Sequence, residues 1–334
     1  MQKEFQGKNI LITGGTGSIG SELVKQVLEY HPKKIRIFSR DETKQYELME
    51  KIGRPENVLP LVGDVRDKER LNFAFRDVDI VLHAAAMKHV SIGEYNPFEV
   101  VKTNIVGSQN VVDAAILQGV KKVIGISTDK AVNPTNVLGI SKLMMEKLFV
   151  NANYYTKRTV AKFSCVRFGN VAWSRGSVLP SWKQQADARG TIEVTNGKMT
   201  RFFMSKKQAI TLVLRAALLT QGGEIFVLKM PSVELMDLAR IFVEKYYPNK
   251  DIQIEETGER DGEKTHESLV DDVGQYEKIF SDEEMYIFIP RMKLRGMEGF
   301  LQEIPAYKGF HETPVSAGTS SMDALHNGDI SDIV

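Results

Sequence analysis

The alternation of apolar strands with amphipathic helices predicts an α/β protein. Residues 1–167 read as a doubly wound parallel sheet, 168–270 as a smaller α/β lobe, and 271–334 as a C-terminal appendage. Three observations carry this reading. Short apolar runs at 9–13, 34–38, 58–62, 80–82, 122–126 and 160–167 are separated by helical patterns, the rhythm of parallel strands joined by crossovers. The first run closes on a glycine-rich turn. Polar and charged residues collect just past the strand ends, where an open sheet of this kind binds its ligands.

Composition narrows the classes. With 334 residues there is ample length to bury a core. The formal net charge of +1 argues against a general nucleic-acid binder, which would carry a basic stripe. A single cysteine, Cys165, excludes an internal disulfide and a cysteine-cluster metal site, and its apolar surroundings make it a buried thiol. No metal ligand set stands out. No apolar run is long enough to span a bilayer and the opening MQKEFQGKN has no signal-peptide core, so a cytoplasmic protein is expected.

Glycines 14, 17 and 20 follow the first strand and precede a helix over 21–30 whose Leu23, Val24, Val27 and Leu28 form one face. That placement suits a dinucleotide: a tight turn, bare backbone against a pyrophosphate and close helix packing. The sheet is therefore expected to be of the Rossmann type, with Gly14, Thr16, Gly17, Ser18, Ile19 and Gly20 against the cofactor. The second strand ends at Ser39-Arg40-Asp41, where the adenosine ribose is read. Arg40, with Lys44 one helical turn on, suits the 2′-phosphate of NADP, while Asp41 keeps NAD as the alternative. Asp64 and Val65 after the third strand are placed to edge the adenine. Small residues Ala84, Ala85 and Ala86 after the fourth let a cofactor lie against the backbone, and His83 reads as a packed histidine. Lys88 and His89 in the following loop are candidates for cofactor or substrate contact. Asn104 lies in a helix over 97–118 and is expected to brace the loop after a strand, near the cofactor.

The fifth strand delivers Ser127-Thr128-Asp129-Lys130, and a helix over 140–151 carries Lys142. An acid and an amine side by side at a strand end can divide proton-transfer work. Beyond residue 168 the elements are smaller: a short strand at 193–195, helices over 205–220 and 233–247, strands at 224–228 and 252–255. Arg175, Arg201 and Arg260 are interleaved among them, as for a lobe that grips a diphosphate. From 271 the chain reads as an appendage packed on the lobe with a mobile end containing Gly318, Ser320, Asn327 and Gly328.

These stretches together resemble the extended short-chain dehydrogenase/reductases, and among them the UDP-N-acetylglucosamine 4,6-dehydratases. The resemblance runs through ILITGGTGSIG (10–20), IFSRDE (37–42), GDVRD (63–67), HAAAMKHV (83–90), KTNIVGSQNV (102–111), STDKAVNPTNVLGISK (127–142), RFGNVAWSRGSVLP (167–180), MTRFFM (199–204) and GERDGEKTHE (258–267). It implies oxidation at C4 of the hexose by tightly bound, recycled NADP, loss of water across C5 and C6, and hydride return to C6. By that analogy Lys130 takes the C5 proton, Asp129 protonates the leaving hydroxyl, Thr128 polarises the C4 oxygen and Lys142 holds the nicotinamide ribose. Asn170, Arg201 and Arg260 would hold the UDP, with Arg175, Ser177, Thr195 and Glu263 as further substrate contacts and Asn170 also near the cofactor. Two residues depart from the pattern. Leu138 stands where most of the superfamily has a tyrosine, leaving the C4 base to Thr128 with Asp129 or to a water, and Asp261 stands where relatives usually have proline. Loss of the tyrosine leans the expectation toward retention at C5, with inversion as the alternative. A nucleotide-sugar 4-epimerase and a catalytically silent NADP sensor are the rival readings. The resemblance also implies a homo-oligomer, a dimer or a hexamer.

Overall fold

The computed structural model describes residues 1–155, 161–270, 276–291, 307–313 and 321. Strands are numbered in chain order: β1 Asn9–Thr13, β2 Lys34–Ser39, β3 Val58–Val62, β4 Ile80–His83, β5 Lys122–Ile126, β6 Lys162–Arg167, β7 Asn170–Val171, β8 Thr191–Val194, β9 Thr200–Met204, β10 Ile225–Leu228, β11 Ser232–Glu234, β12 Gln253–Glu256, β13 Tyr276–Ser281, β14 Met285–Pro290 and β15 His311–Glu312. One sheet holds ten of them in the order β15-β13-β14-β10-β6-β5-β4-β1-β2-β3. From β10 to β3 all neighbours run parallel; β14, β13 and β15 add an antiparallel edge. The order of strands turns back between β1 and β4, which are paired from Ile10↔Ile80 to Thr13↔His83. That reversal opens a crevice at the strands' carboxyl ends.

Helices cover both faces, so the central strands are apolar throughout: Ile10, Leu11 and Ile12 of β1 are all fully buried. The helix Ser18–Leu28 turns Leu23, Val24 and Val27 onto the sheet, and it starts earlier than the apolar pattern indicated because Gly17 already serves as its N-cap. The helix Val137–Ala152 also starts early. Asn136 caps it, its side-chain oxygen accepting from Gly139 N at 2.8 Å. The expected helix over 97–118 is three segments in series, Pro97–Val100, a π-helical turn Val101–Val106, and Gly107–Gln118.

The lobe has its own core around Trp182, Ile192, Phe203, Leu238 and Phe242, beneath two small sheets, β11-β9-β7 and β12-β8. The chain leaves the main sheet after β6 and returns to it with the helix Lys206–Leu219 and β10. Beyond residue 270 the expected packing on the lobe gives way to pairing. In its described part this stretch supplies β13, β14 and β15 to the main sheet, because alternating Tyr276, Ile279, Phe280 and Met285, Ile287, Phe288 bury against the same core. The rest of it, including the end read as mobile, lies outside the described residues, as does the first residue of the strand expected at 160–167. Among the described residues no helix is long and apolar enough to cross a membrane.

Candidate active site

The turn after β1 sets the floor of the site. Gly14 has φ +66°, and a Cβ there would stand 2.7 Å from Ala85 N, so β1 and β4 can close on each other only with glycine at this point. The helix that follows has no side-chain cap at its N-terminus, leaving amide N–H groups directed at the crevice. From here a cleft of about 660 Å³ runs across the sheet's carboxyl edge. It is lined by Gly14, Thr16, Gly17, Ser18, Ile19 and Gly20, then by Ser39, Arg40, Asp41 and Lys44 after β2. Asp64 and Val65 follow β3, and Ala84, Ala85, Ala86, Lys88 and His89 follow β4. Thr128, Lys130, Lys142, Asn170, Arg175 and Ser177 complete the wall among the residues singled out from sequence.

At the β2 end, Gln45 is buried and donates to Ser39 O, Ser39 Oγ and Leu61 O at 2.9–3.0 Å, which locks Ser39 in place. Asp41 caps the helix Glu42–Lys51 by accepting from Lys44 N, and it also pairs with the Lys44 ammonium. That bond, helped by Arg175, holds the Asp41 carboxyl below its usual range. Of the two cations expected for a 2′-phosphate, Lys44 is therefore engaged by Asp41, whereas among the described residues Arg40 has only Asp64, at 3.8 Å. Arg175 lies on the same wall, close to the glycine turn. Its backbone N–H donates to Ser18 Oγ at 2.9 Å and its carbonyl accepts from Lys88 Nζ at 2.6 Å, which puts it over the glycine turn at the dinucleotide end. Burial and then Arg175 lower the Lys88 pKa; burial and then Lys88 lower that of His89.

Asn104 is absent from the cleft wall. Its side chain accepts from Met87 N at 2.8 Å and donates to Met87 O at 3.0 Å and Ser141 Oγ at 2.9 Å. It therefore clamps the loop that carries Lys88, and the π-helical turn brings it to that position. His83 is packed as expected, between Thr13 Oγ1 at 2.7 Å and Ser108 Oγ at 3.2 Å, and burial, then the Lys142 charge, lower its pKa to about 3.

At the centre, β5 ends in Thr128 and a short 3₁₀ turn, Asp129–Ala131. Asp129 is fully buried and does not line the cleft. Its Oδ1 accepts from Thr128 Oγ1 at 2.8 Å, Lys130 N at 2.8 Å and Lys130 Nζ at 3.1 Å, while Oδ2 has no hydrogen-bond partner among the described residues. Lys130 Nζ also faces Glu267 Oε1 at 3.4 Å. Burial pulls the Lys130 pKa down, but Asp129 and Glu267 together outweigh it, and the ammonium is held above its ordinary 10.5. Glu267 is a site residue the sequence reading passed over; it lies in the charged run 258–267, where nothing in the pattern separates it from its neighbours. Lys142 is buried with Nζ donating to Ile126 O at 2.7 Å, and burial lowers its pKa to about 8. Leu138 lines the cleft on the same helix.

The lobe arginines divide. Arg201 is buried beside this cluster, donating to Thr200 O at 2.9 Å and Thr265 O at 3.2 Å, and its charge opposes that of Lys130. Arg260 is exposed; Arg201, Arg260, Thr195 and Glu263 all lie off the cleft wall, and Glu263 N donates to Arg260 O at 3.1 Å.

The cleft fits a dinucleotide. Ser127 Oγ, Thr103 Oγ1 and Ser177 Oγ are buried along it with no hydrogen-bond partner among the described residues, and the glycine cradle would be filled by any Cβ. Fold and cleft together define an extended short-chain dehydrogenase/reductase. Within that class, the chain belongs to the polysaccharide biosynthesis protein family, whose profile matches residues 10–288. A Campylobacter jejuni protein named UDP-N-acetylglucosamine 4,6-dehydratase (inverting) is 47% identical over 296 residues, 88% of this chain and 86% of its own length. The solved structure of Pen from Bacillus thuringiensis superposes with a TM-score of 0.82 at 44% identity, covering 86% of this chain and 90% of that one. A Rickettsia bellii protein named UDP-glucose 4-epimerase is 40% identical over 290 residues, 83% of this chain and 84% of its own.

Proposed function

We propose that this chain is a UDP-N-acetylglucosamine 4,6-dehydratase, a hydro-lyase, using a tightly held NADP. The observation that carries the reading is the Thr128–Asp129–Lys130 cluster, an acid and an amine 3.1 Å apart at the end of β5, opening on the dinucleotide cleft. An epimerase needs no acid for a C6 hydroxyl, whereas an elimination needs both an acid and a base. The 47% identity to a named dehydratase over most of both chains points the same way. The nicotinamide would supply reversible hydride acceptance from the sugar.

On this reading Thr128 holds the C4 oxygen, Lys130 takes the C5 proton and Asp129 is the source of the proton that reaches the leaving C6 hydroxyl. Lys142 orients the nicotinamide ribose, and Arg201 with Asn170 receives the UDP. Arg40 and Ser39 face the 2′-phosphate. At C5 the dehydratase relative is named as inverting, so the expectation of retention loses its support and inversion is the outcome proposed. A proton NMR time course with UDP-N-acetylglucosamine in D₂O tests this. A 4-keto-6-deoxy product deuterated at C5 with the inverted configuration is expected; a UDP-hexosamine epimerised at C4 with C6 intact would overturn it. The latter is the second reading, supported by the 40% identity to a protein named as an epimerase.

A further inference from the structure

Lys130 does not stand alone with Asp129. The loop after β12 brings Glu267 up from the lobe, its side chain almost wholly buried and its backbone N–H donating to Ser321 Oγ at 2.8 Å. Glu267 Oε1 reaches Lys130 Nζ at 3.4 Å, and Oε2 has no hydrogen-bond partner among the described residues, with Lys264 Nζ 3.6 Å from it on the same loop. The ammonium is thus held between a carboxylate from the sheet and one from the lobe. We propose that Glu267 is a positioning residue for the elimination step: it fixes Lys130 against Asp129 and keeps the resting pair charged, so that elimination begins with a proton passing from Lys130 to Asp129. The inference rests on the dehydratase reading of the same site.

The step balances without an outside proton. Transfer from Lys130 Nζ to Asp129 Oδ1 breaks an N–H bond and makes an O–H bond, leaving a neutral amine and a carboxylic acid. The amine takes the C5 proton, and the C–H pair becomes the new C5–C6 double bond. The C6–O bond breaks as the leaving oxygen receives the Thr128 hydroxyl proton, and Thr128 is recharged by Asp129, whose Oδ1 it contacts at 2.8 Å. Thr128 lines the cleft and Asp129 does not, which is why the relay is needed. Water leaves, and Lys130 and Asp129 are again ammonium and carboxylate. Both partners of the pair reach their working forms through one internal proton shift, over a distance that Glu267 holds.

The groups facing Lys130 are Asp129 and Thr128 from its own strand end, Glu267 and Lys264 from the lobe loop, and Arg201 from β9. Removing one carboxylate from that set makes the ammonium easier to deprotonate. Glu267→Gln is therefore expected to shift the alkaline limb of the kcat profile to lower pH and, because Lys130 is no longer held against Asp129, to lower kcat about tenfold or more at neutral pH with KM changed less than about threefold. Because C4 oxidation precedes the affected step, reduced nicotinamide should accumulate on mixing with UDP-N-acetylglucosamine. Glu267→Asp, which keeps the charge but shortens the reach, should fall between and restore the limb. It also serves if the glutamine variant does not fold. An unchanged kcat and an unmoved limb overturn the proposal. Independently of turnover, titration of the ¹⁵N-labelled Lys130 ammonium, assigned with Lys130→Met, should show a lower pKa in Glu267→Gln, and an unshifted titration overturns the clasp. Failure of the wild-type protein to dehydrate the sugar would sink the functional reading, while the titration would still decide the role of Glu267.

Discussion

Two buried bases make the same demand on pH, in separate windows, at the level of single residues. His83 has its pKa lowered to about 3 from an ordinary 6.5, chiefly because an imidazolium would be fully desolvated between Thr13 and Ser108. The unfolded chain binds the extra proton between those values, so stability is intact above pH 6.5 and falls as pH drops. The expected slope is about 1.4 kcal/mol per pH unit, readable in urea melts from pH 7 to 4. Lys142 carries the complementary burden. Its pKa is lowered to about 8 from 10.5, so the folded state loses its proton first and stability rises as pH climbs between those values. Lys142→Met is expected to stabilise the ligand-free protein at pH 7 by about 1–2 kcal/mol, the desolvation relieved less the bond to Ile126 O, while dehydratase activity is lost. A lower melting temperature in the variant would contradict this account.

Two elements carry the site's geometry. The π-helical turn Val101–Val106 holds Asn104 so that its side chain makes three hydrogen bonds, two to the backbone of Met87, immediately before Lys88. Asn104→Ala takes away the side-chain partner of the half-buried Met87 N–H and C=O and is expected to cost about 2–3 kcal/mol and raise KM, checked by melting and steady-state kinetics. At the start of the helix Val137–Ala152, Asn136 works in two directions. Its oxygen caps Gly139 N, and its amide donates to Gly262 O at 2.9 Å in the lobe loop that carries Glu267. Loss of this residue should cost about 1 kcal/mol as a helix cap and, separately, weaken sugar-nucleotide binding as the loop loosens. Calorimetric titration with UDP against melting of the free protein separates the two effects.

Across the whole molecule, the sheet and the returning chain are joined by a buried charge. Arg167 at the end of β6 makes a two-pronged pair with Glu146 at 2.7 and 2.8 Å and also donates to Leu269 O at 3.3 Å and Tyr276 OH at 3.1 Å. It thereby ties the main sheet to the segment between the lobe loop and β13. Arg167→Met strands a buried Glu146 and is expected to destabilise by about 3–5 kcal/mol, whereas replacing both partners by apolar residues should cost much less. Equal losses in the single and double variants, measured by denaturant unfolding, would show that the pair's charge is not what matters.

Local pattern was enough for the parallel sheet, the glycine turn and the residues beyond each strand end, because strand period, helix period and the demand for bare backbone are all written in neighbouring residues. What sequence alone could not supply was contact between distant stretches. The wall of the cleft joins residues from 14 to 177 along one edge, and there Arg175 meets Ser18, 157 positions earlier in the chain. Asn104 braces from behind, and the strands after 270 join the sheet instead of the lobe. Glu267 reads as one charge in a charged loop until the fold sets it 3.4 Å from Lys130. Whether a side chain is a solvated charge or half of a buried pair depends on what the rest of the chain brings within reach and on how much water is left between them. Tertiary packing alone decides both.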